Sequence, residues 1–158
     1  MPKPSADPLS IDLHDQPGHL IRRAHQIAVS MFVDIVGTGA TPIQYAILRT
    51  LQEKPGLDQV TLAQEIALDN STTAETAARL EAKGLIVREL LPRRQRRLLL
   101  TPAGEQLLAE LVPGVHRMCD AMMASLTPSE RDEFMRLLRK FVHLNNEQSR
   151  APRGGKGG

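Results

Sequence analysis

Between Gly18 and Val36 the apolar residues Leu20, Ala24, Ile27, Met31 and Ile35 recur three or four positions apart, the spacing of an amphipathic helix. Gly37-Thr38-Gly39 stops it. Thr41-Pro42-Ile43-Gln44 predicts a second helix, because Thr41 caps the first-turn amides, Pro42 suits the first helical position and Gln44 reaches back to the cap. It should end near Glu53, before Pro55-Gly56. Thr61-Leu62-Ala63-Gln64 repeats the capping pattern and predicts a short helix to about Ile66. After a turn at Leu68-Asp69-Asn70, residues 71 to 83 read as a third helix with Ala74, Ala77, Ala78 and Leu80 inward, closed by Gly84. A short helix, a tight turn and a second helix make a helix-turn-helix.

Leu85-Ile86-Val87 and Leu98-Leu99-Leu100 are strand-like runs separated by the polar turn Pro92-Arg93-Arg94-Gln95-Arg96. A basic-tipped hairpin directly after a helix-turn-helix is a wing. Thr101-Pro102 should open a long helix reaching toward Leu126, with a kink expected at Pro113-Gly114. Thr127-Pro128-Ser129-Glu130 is a full capping box, followed by Phe134, Leu137, Leu138 and Phe141 on one face.

Composition sharpens this picture. At 158 residues with 3% aromatics and no Trp, the core must be aliphatic, which suits packed helices. Absence of an 18-residue apolar run, and of a basic-then-apolar N-terminal order, leads us to expect a soluble cytoplasmic protein. Cys119 is the single cysteine, so no disulfide can form within the chain. Net charge is +2, of which the tail from Ser149 carries Arg150, Arg153 and Lys156, so global charge says nothing about partners. Local charge does: Arg93, Arg94, Arg96 and Arg97 fall within five residues, with Arg88 shortly before. Four arginines on a hairpin tip repel one another unless an anion is at hand, and DNA phosphate or a narrow minor groove supplies one. In a helix-turn-helix the second helix enters the major groove with its N-terminal side chains on base edges. Ser71, Thr72, Glu75, Thr76 and Arg79 form the polar face of that helix.

Taken together, TPIQYAILRTL, then TLAQEIALDNSTTAETAARLEAKGLI, a basic wing and LTPAGEQLL resemble the MarR family of bacterial transcription regulators, from about Leu13 to Asn145. The strings RLEAKGLIVRE and LLLTPAGEQLL are the most diagnostic. The resemblance implies a mainly α, winged helix-turn-helix fold with a small β-hairpin wing, embedded in a helical dimerisation body. Residues 1–12 would be a disordered N-terminus, 13–37 with 104–147 the dimerisation region, 41–103 the DNA-binding region and 148–158 a flexible basic tail. A homodimer would bind a pseudo-palindromic double-stranded operator as a repressor, through Ser71, Thr72, Glu75, Thr76, Arg79, Arg93, Arg94 and Arg96. Two departures stand out. Many members carry Asp-x-Arg at the wing tip; Arg94 matches the Arg, but Pro92 occupies the Asp position. Glu75 stands where a basic residue is common, yet a glutamate can accept from cytosine N4.

Family members commonly hold a small aromatic acid between the dimer helices and the winged helix. HDQPGHLIRRAHQIAVSMF is similar to the subgroup that responds to hydroxybenzoate or hydroxynicotinate. A carboxylate favours a forked arginine donor, and a ring hydroxyl needs a His or Ser partner. His19, Arg23, Gln26 and Ser30 recur at helical spacing and can share one face. The bland alternative makes Arg22 and Arg23 surface ion-pair formers and His19 an interface residue.

His116 and Cys119 have a spacing compatible with metal binding or redox sensing, but Met118, Met122 and Met123 beside them favour core packing. No cofactor is expected: the chain has no Gly-x-Ser-x-Gly, no His-Glu-x-x-His and no glycine-rich phosphate loop, so it is not read as an enzyme. The rivals are a helical dimeric interaction module without sequence-specific DNA binding, and a MarR-like redox or metal sensor using Cys119.

Overall fold

The structure, a computed structural model, describes residues 11–94 and 96–154. Among the described residues six α-helices and one antiparallel hairpin follow in order: α1 (Pro17–Met31), α2 (Pro42–Glu53), α3 (Gln59–Glu65), α4 (Asn70–Ala82), β1 (Ile86–Leu90), β2 (Arg96–Leu100), α5 (Pro102–Met123) and α6 (Pro128–Leu144). After Met31 the first helix widens into a π turn, Phe32–Val36, which closes on Gly37. The expected N-terminal disorder of residues 1–10 and the tail residues 155–158 lie outside the described residues.

Of the three expected capping boxes, those at Thr41 and Thr127 form. Thr41 and Gln44 exchange side-chain and backbone bonds at 3.1 Å each, and Thr127 and Glu130 do the same at 2.8 and 3.3 Å. The two helices of the helix-turn-helix start earlier than expected, because an aspartate caps each. Asp58 accepts from the Thr61 amide at 2.8 Å, so α3 begins at Gln59 and Thr61 lies inside it. Asp69 accepts from the Thr72 amide at 2.8 Å, so α4 begins at Asn70. An ionised carboxylate next to first-turn amides is a stronger cap than a hydroxyl. On α4 the expectation for Ala78 is corrected: it is exposed, and Thr73 is buried in its place, donating its hydroxyl to the Asp69 carbonyl at 2.8 Å.

Ile47, Leu48, Leu51, Leu62, Ala77, Leu80, Ile86, Leu98 and Leu108 form one buried aliphatic cluster drawn from α2 to α5 and the hairpin. Thr101 locks the base of the wing to it, donating to the Gly84 carbonyl at 2.6 Å and accepting from the Gly104 amide at 3.1 Å. Gly84 closes α4 in the left-handed conformation, φ 72°. A Cβ at Gly104 would sit 2.0 Å from the Leu85 carbonyl oxygen, so only glycine lets α5 leave the wing here. Helix α5 continues across Pro113 as a single element.

Past Gly114 no residue of α5 is buried, and α1 and α6 bury none at all. Cys119 is exposed, contrary to the core position expected from its methionine neighbours. The tail, expected to be flexible, is tied back as far as Gly154. The Asn146 side chain bonds the Arg153 backbone at both its N–H and its carbonyl, 2.9 Å each, and the Gly154 amide donates to the Gln64 carbonyl at 3.2 Å. Arg153 also reaches Glu65 at 3.4 Å, and Lys54 lies 2.9 Å from the same carboxylate. These cations, hydrogen-bonding Lys54 foremost, hold Glu65 below the usual carboxylate range. Among the described residues no helix is long and apolar enough to cross a membrane, and no three His, Cys, Asp or Glu side chains gather as a metal site.

Candidate nucleic-acid interface and effector face

The capping carboxylate of Asp69 fixes the start of α4 and with it the polar face that begins one residue later. Its hydrogen bonds from Thr72 hold Asp69 below the usual carboxylate range. Of the five expected base readers, Ser71, Glu75 and Arg79 are exposed, and Thr72 and Thr76 are half-buried. Thr76 donates its hydroxyl to the Thr72 carbonyl at 2.8 Å, so in this state that hydroxyl is turned to the backbone. Glu75 and Arg79 pair at 2.5 Å, one turn apart. The face therefore presents a hydrogen-bonded pair of opposite charges.

The hairpin pairs Ile86 with Leu100, Val87 with Leu99, Arg88 with Leu98, Glu89 with Arg97 and Leu90 with Arg96. Leu57 adds a single antiparallel bridge to Leu98 on the outer side. At the tip, Pro92–Arg94 forms one helical turn in which Arg93 adopts a left-handed conformation, φ 69°. Arg96 lies in β2 and not in the turn where the sequence suggested it. The arginine cluster divides into two sets. Arg97 is bound to Glu89 across the strands at 2.5 Å, and Arg88 lies 3.5 Å from Glu81 at the end of α4. Among the described residues, Arg93 and Arg96 have no acidic partner. The Arg94 side chain lies outside the described residues. The register explains the Arg97 pair, since directly opposed residues face each other; the sequence held both residues but not their alignment.

His19, Arg23, Gln26 and Ser30 fall on one face of α1, as their spacing predicts, with His19 half-buried and the other three exposed. Arg22 donates to His19 Nδ1 at 3.3 Å. An accepting Nδ1 leaves the proton of the neutral ring on Nε2, and that atom is buried without a hydrogen-bond partner. Desolvation, then the charge of Arg22 with His14 and Arg23, lowers the His19 pKa and favours the neutral ring. A groove of about 700 Å³ lies elsewhere, between α6, the end of α3 and the tail, and includes none of these four.

The chain matches the model of the MarR family over residues 40–97. It is 36% identical over 105 residues to the transcriptional regulator HosA of Escherichia coli O111:H-, which covers 65% of this chain and 78% of HosA. Among solved structures it is similar to the PcaV transcriptional regulator of Streptomyces coelicolor in complex with its natural ligand, with a TM-score of 0.79 and 35% identity over 84% of this chain and 96% of PcaV. It is equally similar in fold to BpsR of Bordetella bronchiseptica, whose DNA binding is regulated by 6-hydroxynicotinic acid. That TM-score is 0.79, with 30% identity over 84% of this chain and 98% of BpsR.

Proposed function

The chain belongs to the MarR family of DNA-binding transcriptional regulators, and from that premise we propose that it is a homodimeric repressor released from its operator by a small aromatic carboxylic acid. In this reading residues 13–37 and 104–147 form the dimer body and residues 41–103 the DNA-binding region. Residues of α4 read base edges, and Arg93, Arg94 and Arg96 of the wing hold phosphate or the minor groove. Ser71 and Thr72 would contact the first bases, with Glu75, Thr76 and Arg79 following one turn on. The Glu75–Arg79 pair can then act as a unit, the carboxylate accepting from cytosine while orienting the guanidinium.

The observation that carries the effector half is the unpartnered Nε2 of His19. A solvent-shielded donor without a partner is unfavourable, and a ring hydroxyl or carboxylate would satisfy it. Arg23, one turn on, offers the fork a carboxylate needs, with Gln26 and Ser30 available to a ring substituent. Regulation by 6-hydroxynicotinic acid in BpsR supports this class of ligand. Two recognition helices must sit about 34 Å apart to enter successive major grooves. A ligand on α1 that prefers another spacing a hundredfold shifts the balance by about 2.7 kcal/mol, enough for release.

The test begins with an operator selected by the protein from a random-sequence duplex pool. Titration with 4-hydroxybenzoate and 6-hydroxynicotinate should weaken operator binding, and operator should weaken ligand binding by the same factor. Arg23→Ala should keep operator affinity and lose the response. The effector reading fails if no hydroxylated benzoate or pyridine carboxylate shifts the titration, or if Arg23→Ala responds like wild type to one that does. The DNA reading fails if Arg94→Ala and Arg96→Ala leave binding and its salt dependence unchanged.

A further inference from the structure

We propose that residues 149–154 are a strap that ties the dimer body to the helix-turn-helix of the same chain and so restricts how the two recognition helices are spaced. The inference rests on the reading of the protein as a DNA-binding dimer, and it gives the tail a part in that dimer's choice of operator.

Helix α6 meets the winged helix through a bridge and not through a packed face. It buries none of its residues, and the groove of about 700 Å³ lies between it and the end of α3. Among the described residues, every hydrogen bond and ion pair between residues 128–154 and the winged helix is made by Arg153 or Gly154.

Both ends of the bridge are anchored. After α6 one tight helical turn, Asn146–Gln148, reverses the chain. The half-buried Asn146 then grips the returning backbone, its amide nitrogen donating to the Arg153 carbonyl and its oxygen accepting from the Arg153 amide, 2.9 Å each. Inside this loop Ser149 Oγ accepts from the Ala151 amide at 3.2 Å, and Pro152 restricts the backbone beside it. At the far end the Gly154 amide donates to the Gln64 carbonyl at 3.2 Å, and Arg153 lies 3.4 Å from the Glu65 carboxylate. A Cβ at Gly154 would lie 3.1 Å from Gln64 Cβ, so a glycine suits the close approach. Lys54 shares Glu65 at 2.9 Å, and the strap therefore ends where α2 and α3 are already joined.

The consequence is geometric. Leu62 of α3 and Ala77 and Leu80 of α4 share the buried cluster, so a restraint on α3 is a restraint on the recognition helix. In a dimer two such helices must fall about 34 Å apart. A bridge from each α6 narrows the range of separations, which favours one operator spacing over its neighbours without adding a DNA contact. Its bonds are at the surface and individually weak, so the strap restrains the winged helix without freezing it.

The test uses four forms of the chain, all with Cys119→Ser: full length, ending at Gln148, ending at Gly154, and full length with Gln64→Cys and Gly154→Cys. With oxidised glutathione and no DNA, the cysteine pair should close within one chain, since the Cβ positions need part by only a few tenths of an ångström to reach the roughly 3.5 to 4.5 Å of a disulfide. Two free thiols, or a cross-linked pair of chains on a denaturing gel, would overturn the strap. Affinity is then measured for an operator selected by the full-length chain, for the same operator with one base pair added between its half-sites, and for a single half-site. The added pair should cost the full-length chain about tenfold and the chain ending at Gln148 about twofold, because a looser dimer accommodates more spacings. The chain ending at Gly154 and the oxidised cysteine pair should behave like full length, and all four should bind the half-site equally. The strap is wrong if the chain ending at Gln148 keeps the full spacing penalty, or if it loses the same factor on half-site and operator. Failure of the full-length chain to bind any duplex would sink the DNA reading and the strap's role with it, whereas binding with an unchanged spacing penalty sinks the strap alone.

Discussion

Ile47, Leu48, Leu51, Leu62, Leu80, Ile86, Leu98 and Leu108 are each 2% exposed or less, whereas α1 and α6, amphipathic and no poorer in apolar residues, bury none of theirs. On α6 Leu137 and Phe141 remain 48% and 49% exposed, and on α1 Leu20 and Ile27 stay at 51% and 48%. One region satisfies its apolar surface within a single chain. The other leaves a surface that soluble monomers rarely show, and on α6 it does so on a helix with a full capping box. That uncovered surface is why the dimer belongs to the proposed function.

The sharpest way to break this contrast is to charge the uncovered face. Phe141→Glu should abolish self-association and lower operator affinity at least a hundredfold, while the melting of the winged helix hardly changes, because Phe141 touches none of its core. Sedimentation and duplex titration on the same sample check both halves. The mirror experiment is Leu48→Ala, a cavity in the buried cluster. It should cost about 2 to 5 kcal/mol in urea unfolding whatever the protein concentration.

Smaller effects separate reading from holding. Glu75→Ala should change the preferred base pairs at about 1 to 3 kcal/mol per disrupted contact, with random-duplex affinity kept or raised. Equal loss on selected and random duplexes would remove Glu75 from the readers. Smallest is the charge on Asp69. Its pKa is lowered in the folded state by the Thr72 hydrogen bonds, so the ionised cap stabilises above the ordinary carboxylate range and that contribution disappears as pH falls through the folded value. Asp69→Asn keeps a good cap without the charge. Its urea midpoint should fall below that of wild type at pH 7 and converge on it as the pH drops below the ordinary carboxylate range.

Much of the fold was legible because it rests on local chemistry. Capping boxes at Thr41 and Thr127, the glycine at Gly84 and the threonine of LTPAG each specify an element through atoms a few residues away. Errors arose where two local signals competed, as at Thr61 and Ser71, where the preceding aspartates made the stronger caps. The interface was harder to read. Which arginines are free depends on strand register and on Glu81 and Glu89, partners seven and eight positions away, so the cluster looked like one charge and is two sets. The effector face was legible as helical spacing, but the unpartnered Nε2 of His19 depends on packing that spacing does not describe.

The most direct test of the account is sedimentation of the free chain at micromolar concentration, followed by the same measurement with one equivalent of operator duplex per dimer. The account predicts a stable dimer of about 35 kDa, twice the 17.4 kDa chain, and a complex containing two chains on one duplex. A soluble monomer at that concentration, binding duplex one chain at a time, would contradict it.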